Sequence, residues 1–444
     1  MHKNKKIDLP EDVKTRQAAV QIVTAVLDKK QPLDSAFDTI VAGYDRFDVR
    51  DIAFVREVVM RLLRRKGQID DALQTVCDRP LNKITPQAVL MLLRVGAVQI
   101  LFMDVKAHAA VDTMVTLAQN SNMVKQKGFI NAALRNLDRK RESILKTQKG
   151  KEGRLNTPAW LYQSWCKDYG AETADRIAGT HVMPAPVDLT LRDKNRQAEI
   201  AADLDAQVLP NGNLRMQKSG KLSEKPGFKD GLWWVQNISA ALPVDLVRNI
   251  PLQAAAADIC AAPGGKTLQL CARGASVTAV DISKNRLKRL HENLERCGFT
   301  ATVLTADAKK WGPDKAFDVI LVDAPCSATG TIRHQPDVMH SKSENDIDKL
   351  VTTQRDVLEN AARFLKPGGT LVFCTCSLQK REGEEVVSNF LNKNNEFSID
   401  AIKDDEVPWA PEMITPEGWL RILPFHLQEY GGMDGFFIAR LIRA

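Results

Sequence analysis

From Asn237 onward, short apolar runs alternate with helix-like segments, and most of those runs end in an acid, a glycine turn or a cysteine. AAAADIC leads through CAAPGGKT into a helix from about Lys266, and SVTAVDI precedes SKNRLKRLHENLERCG. ATVLTAD and FDVILVDAP come next. A helical stretch, DIDKLVTTQRDVLENAARFL, then leads to TLVFCTCS and EGEEVVSNFLNK. Short, nearly continuous apolar strands alternating with helices predict a doubly wound, mostly parallel α/β sheet buried on both faces. GFFIARLIR near the end supplies a last strand, so the α/β domain is read as residues 237–444.

The front of the chain has a different period. RQAAVQIVTAVL, IAFVREVVMRLLRR, PQAVLMLLRVGAVQILF, AAVDTMVTLA and FINAALRNLDRK each repeat apolar residues every three or four positions, as amphipathic helices do. Short connections between them predict an all-α bundle over residues 10–145. Pro86 opens the third of these helices, where a missing N–H does no harm. Residues 146–158, KTQKGKEGRLNTP, are polar with Gly and Pro and read as a linker. Residues 159–236 mix a helix (PAWLYQSWCKDYG), a strand (VDLTLR), a second helix (RQAEIAADLDAQV) and irregular pieces, and are read as a small α+β connector.

Composition narrows the function classes. No apolar run approaches the roughly 20 residues of a bilayer span, and the basic MHKNKKIDLPEDVK lacks the apolar stretch of a secretory signal. Eight cysteines without regular spacing fit reduced thiols in a cytoplasmic protein better than a disulfide framework. Residues 1–150 carry 26 Lys and Arg against 17 Asp and Glu, whereas the remainder is close to neutral. A basic front module suits a polyanion, although a merely solvated basic surface is an equal alternative on charge alone.

The candidate ligand site lies beyond the carboxyl ends of the strands, where strand order reverses. Asp258–Thr267 turns there on small residues and two glycines. It has no G-x-G-x-x-G, and a P-loop would need glycine where Cys260 stands. The second strand ends at Asp281, 17 residues beyond Gly264, placed to accept from ribose hydroxyls. Asp307 and Asp323 are read as the ends of the third and fourth strands. One such acid is usually a cap. Three in succession repel phosphates and favour a nucleoside with a cationic tail, which S-adenosylmethionine provides.

Asp323, Cys326 and Cys376 are expected at the ends of adjacent strands, with Cys374 deeper on the same face and structural. A thiolate that adds to carbon-6 of cytosine makes carbon-5 nucleophilic, so that it can take a methyl group before the thiolate is expelled. The base must be unstacked and pocketed. A zinc site from Cys260, Cys326, Cys374 and Cys376 is disfavoured by the lack of a CxxC pair, and no metal is expected.

DICAAPGGKT, DAPCSATG and TCS closely resemble the cofactor, Pro-Cys and Thr-Cys motifs of RNA cytosine-5 methyltransferases. The front bundle, with KGFINAALRNLDR, resembles the NusB-type RNA-binding fold. Together they resemble the bacterial Fmu/Sun (RsmB-type) family of 16S rRNA cytosine-C5 methyltransferases over nearly the whole chain. The resemblance implies a Rossmann-like methyltransferase domain that methylates one cytosine of 16S rRNA, position 967 of that RNA, in free RNA or an early assembly particle. It further implies Cys376 as nucleophile and Cys326 as the residue that assists product release. The donor site maps to Cys260, Ala261, Ala262, Pro263, Gly264, Gly265, Lys266, Asp281, Asp307 and Asp323, with Asp323 also touching the cytosine edge. Arg333 becomes a candidate RNA contact. Asn237, in WWVQNISA, departs from the family's usual aspartate and puts a charged role there in doubt. Two other readings are an RNA adaptor with a degenerate catalytic domain, and an enzyme acting on DNA or on another base. The complete motif set opposes the first, and the Thr-Cys placement opposes the second.

Overall fold

The computed structural model describes residues 9–217 and 220–444. Met1–Asp8, with most of the basic start of the chain, lie outside the described residues, as do Lys218 and Ser219 of the expected connector. The chain forms two compact units, one of residues 9–183 with 332–342, the other of residues 184–331 with 343–444.

The first unit is helical. Helices Glu11–Leu27, Val49–Arg64, Gln87–Phe102, Ala107–Gln119 and Lys127–Gln148 correspond to the five periodic segments. Gln87–Phe102 is the central one, buried at every residue from Val89 to Leu101. An apolar helix with no wet face can only be the middle of a bundle. Its Arg94 is tolerated there because Asp70 takes a two-pronged bond at 2.7 and 2.9 Å. Pro86 precedes this helix as its N-cap. Residues 332–342 return to the same unit: Asp337 accepts from the Leu33 N–H at 3.1 Å, and His340 bonds the Leu63 carbonyl at 2.8 Å.

The stretch 146–158 is not an unstructured linker. Lys127–Gln148 runs into it, Glu152–Asn156 is helical, and Gln148 and Asn156 are buried. Their amides close a buried ring of bonds with Gln68: Gln68 N–H to Asn156 Oδ1 at 2.9 Å, Asn156 Nδ2 to Gln68 Oε1 at 2.9 Å, and Gln148 Nε2 to the Gln68 carbonyl at 2.9 Å. Polar composition misleads when amides satisfy one another. The expected connector is divided as well. Helices Ala159–Tyr169 and Ala171–His181 belong to the helical unit, where Trp165 packs on His181.

The second unit holds two sheets. The smaller comprises β1 (Val187–Leu191), β2 (Ala206–Val208), β3 (Leu214–Met216) and β4 (Trp233–Val235) in the order β2-β3-β1-β4. The larger comprises β5 (Ala255–Ile259), β6 (Ser276–Asp281), β7 (Thr302–Thr305), β8 (Phe317–Asp323), β9 (Leu365–Thr375), β10 (Phe397–Ile399), β11 (Leu420–Ile422) and β12 (Phe436–Arg443). Its order is β10-β12-β9-β8-β5-β6-β7, with β11 on β12. β9, β8, β5, β6 and β7 run parallel, and β12 pairs antiparallel with β9. Strand order reverses between β5 and β8, which puts the ends of those two strands at the ligand crevice.

A buried ion pair ties the small sheet to the large one. Arg215 grips both carboxylate oxygens of Asp188 at 2.7 and 2.9 Å and also donates to the carbonyls of Tyr430 and Gly432. The Ile238 N–H and Asn237 Nδ2 donate to the same carboxylate at 3.1 and 3.2 Å. Asn237 also caps helix Ile238–Asp245 through the Ser239 N–H. An aspartate at 237 would set a second carboxylate against Asp188, so the amide is the fitting residue here. Replacing Asp188 with alanine strands a buried guanidinium, and the expected loss is about 3–5 kcal/mol. Equilibrium urea unfolding followed by tryptophan fluorescence checks it; a loss below ~1 kcal/mol contradicts this account.

Candidate active site

The glycine turn after β5 places the first group of side chains. Gly264 sits at φ 107°, a conformation costly to any side chain, and its missing Cβ would lie 3.0 Å from Leu290 Cγ. The chain can therefore turn sharply into helix Gly265–Ala272. Lys266, on the first turn of that helix, reaches Asp323 at the end of β8, with Nζ to Oδ2 at 2.8 Å. Burial is the largest influence and disfavours the ammonium, but Asp323 together with Cys374 and Asp258 outweighs it and raises the Lys266 pKa. The Cys374 thiol donates to the other oxygen of Asp323 at 3.6 Å. Cys374 is fully buried, and burial followed by the Asp323 charge pushes its thiol well above the ordinary range. That is the profile of an inert, structural cysteine.

Asp281 ends β6 as expected, but its carboxylate is already engaged. It accepts from the Ala262 N–H at 3.1 Å and the Ser283 N–H at 2.8 Å, and Arg286 lies 3.6 Å away. The neighbouring Ile282 is 69% exposed and offers an apolar face at the same strand tip. Cys260 follows β5 at φ 63°, its thiol pushed up to about 12 by burial and then by Asp323 and Asp281. It contributes backbone rather than a reactive sulfur.

The two candidate catalytic thiols meet. Cys326 follows β8, Cys376 follows β9, and their sulfurs stand 3.4 Å apart as free thiols. The hydrogen bond to Cys376 and burial, with a further push from the Glu382 charge, raise the Cys326 pKa well above its ordinary value. Cys326 thus keeps its proton, with the Cys376 sulfur within hydrogen-bond reach.

Two sequence expectations are placed differently. β7 is a short edge strand that ends at Thr305, so Asp307 lies two residues past it. There it accepts from the Lys309 N–H at 3.0 Å as a turn cap. Arg333 falls in the helical unit, where its carbonyl accepts from Arg64 at 2.8 Å. Among the described residues, no group of three or more His, Cys, Asp or Glu is arranged to hold a metal, and no helix is long and apolar enough to cross a membrane.

Sequence reading missed Asp258 and Glu382. Asp258 is wholly buried in β5, bonded by the Thr267 hydroxyl at 2.5 Å. Glu382 is also wholly buried, beneath the two cysteine loops. In the sequence Asp258 reads only as the start of the glycine turn, and Glu382 lies in KREGEE, which reads as a solvated charge run.

A glycine turn, acids at the strand tips and an apposed thiol pair at a topological switch point define a doubly wound α/β protein with a nucleoside-type crevice and a dithiol centre. The comparisons with known proteins agree with that class. A model of the 16S rRNA methyltransferase RsmB/F family matches residues 252–442, and the NusB family model matches residues 13–139. The chain is similar to ribosomal RNA small subunit methyltransferase B of Serratia proteamaculans, 31% identical over 96% of this chain and 98% of that protein. It is also similar to the protein of that name from Vibrio cholerae, 33% identical over 85% and 89%. In fold it is similar to the crystal structure of PH0851, with TM-score 0.77 and 22% identity over 99% of this chain and all of that one. NSun6 from Pyrococcus horikoshii gives TM-score 0.55 and 19% identity over 64% and 98%. The chain belongs to the RsmB/F family of small-subunit ribosomal RNA methyltransferases, with a NusB-family region ahead of the catalytic fold. Its methyl donor is S-adenosylmethionine.

Asp258 yields a test of the site's electrostatics. Burial raises its carboxyl from 3.8 to about 7, against the pull of the Thr267 hydroxyl and Lys266. The native state therefore holds a proton that the unfolded chain releases near pH 4. The stability linked to that proton is fully present below the unfolded pKa and is lost as pH rises to about 7. Asp258→Asn lacks this titration, so wild type should lose stability relative to the variant between pH 4 and pH 8. Parallel denaturation curves at the two pH values measure it; an unchanged difference refutes the raised pKa.

Proposed function

We propose that this protein methylates carbon-5 of one cytosine in 16S rRNA through a covalent adduct to Cys376, in the cytoplasm, on free RNA or an early assembly particle. The observation that carries this reading is the 3.4 Å approach of Cys326 and Cys376 beside the Lys266–Asp323 pair.

The crevice suits the donor. The turn Cys260–Lys266 brings backbone close, Asp281 and Ile282 offer a carboxylate and an apolar face to a nucleoside, and Asp307 favours a cation over a phosphate, while the charge of Asp323 is balanced by Lys266. When bound, S-adenosylmethionine supplies an electrophilic methyl group. Asp323, a third of its side chain exposed, is oriented by Lys266 and hydrogen-bonds the polar edge of the flipped cytosine. The Cys376 thiolate adds to carbon-6, and the displaced ring electrons make carbon-5 a nucleophile. After methylation the carbon-5 proton passes to water, the ring double bond re-forms and the carbon–sulfur bond breaks, returning the thiolate. At this release step the Cys326 thiol hydrogen-bonds the departing Cys376 sulfur. The Lys- and Arg-rich helical region holds folded RNA through phosphates, which makes binding fall steeply with salt, whereas Arg333 is buried within that unit.

With labelled donor and 16S RNA, Cys376→Ala should lower methyl transfer by more than about a thousandfold, the scale on which loss of a nucleophile acts. It should also form no adduct on denaturing gels, whereas Cys326→Ala should accumulate a protein–RNA adduct. Methylation by Cys376→Ala would remove the nucleophile from this position.

A further inference from the structure

We propose that Glu382 is a positioning residue: its buried carboxylate, braced by Gln354, staples the loop of Cys326 to the loop of Cys376 and holds the two sulfurs in working register. This rests on the covalent reading above for its catalytic consequence, but not for the staple itself.

Four donors converge on that carboxylate. Oε1 accepts from the Ser327 N–H at 2.8 Å and from Gln354 Nε2 at 3.0 Å. Oε2 accepts from the Ser377 hydroxyl at 2.6 Å and from the Ser327 hydroxyl. Ser327 directly follows Cys326, and Ser377 directly follows Cys376. One carboxylate therefore grips the residue after each thiol. Gln354 Nε2 also donates to the carbonyl of Pro325, the residue before Cys326, at 2.9 Å.

Further bonds join the same two loops. The Leu378 N–H donates to Thr329 Oγ1 at 2.9 Å, and the Gly330 N–H donates to the Cys376 carbonyl at 2.9 Å. Gly330 cannot be replaced without displacing chain, since a Cβ there would lie 2.0 Å from the Gly435 carbonyl oxygen. A fully buried carboxylate is costly unless its lone pairs are filled. Here they are filled by groups that fix where the sulfurs point. The negative charge so placed also bears on Cys326, favouring its protonated form.

Glu382→Gln keeps the shape and removes the charge; Glu382→Ala removes the staple. Two measurements without RNA read the staple directly. One is the equilibrium of the Cys326–Cys376 disulfide in a dithiothreitol redox buffer, which reports the effective concentration of one thiol near the other. The other is the pH profile of iodoacetamide labelling at Cys326, located by peptide mass. Thermal melts confirm folding. Glu382→Ala should lower the effective thiol concentration about tenfold or more. In Glu382→Gln the Cys326 labelling profile should move to lower pH. Single-turnover methylation should slow in both, with the KM for donor unchanged. If thiol pairing and the labelling profile both match wild type, the positioning role is overturned. If they change while methyl transfer does not, the staple stands and the covalent reading falls.

Discussion

The parallel pairing of β8 with β9 sets Asp323 opposite Cys374 and brings the two strand-end loops side by side. Everything chemical in the catalytic unit follows from that register. A shift of one residue would exchange the faces of β9 and turn Cys374 away from Asp323. β8 and β5 are also neighbours, so the carboxylate that ends β8 meets the lysine of the glycine turn. The crevice, the donor turn and the thiol pair are three consequences of one strand order.

The carboxyl edge of this sheet gathers charges that water would normally solvate, and each is compensated differently. Lys266 and Asp323 neutralise each other, and Asp281 is held by backbone N–H groups and Arg286. Glu382 is satisfied by amide and hydroxyl donors, while Asp258 has one hydroxyl partner and retains its proton up to about pH 7. The distinction matters because a low-dielectric edge magnifies every unpaired charge. Such an edge suits a cationic donor and holds the Cys326 thiol in its protonated form.

Periodicity told most where burial is complete. Helix Gln87–Phe102 and strands β5, β8 and β9 are apolar because nothing wet touches them, and they were legible for that reason. Exposed or mutually satisfied elements were less legible. β7 lies where ATVLTAD predicts a strand, but as a short exposed edge strand it stops at Thr305, and Asp307 caps the following turn instead of ending the strand. Residues 146–158 resembled a linker because the amides that bury Gln148 and Asn156 find their partner in Gln68, far back in the chain. Gln236, whose side chain bridges Trp234 and Gln269, was equally silent.

The sequence by itself determined the class of fold, the glycine turn, and the acids and thiols at strand ends, because those depend on short-range spacing and strand termini. The tertiary structure alone decided that the sulfurs of residues 326 and 376 lie within 3.4 Å, that Arg333 packs with the helical unit, and that Glu382 lies under both thiol loops. These depend on contacts between residues tens to hundreds of positions apart, set by strand order and by which polar groups find partners once water is excluded.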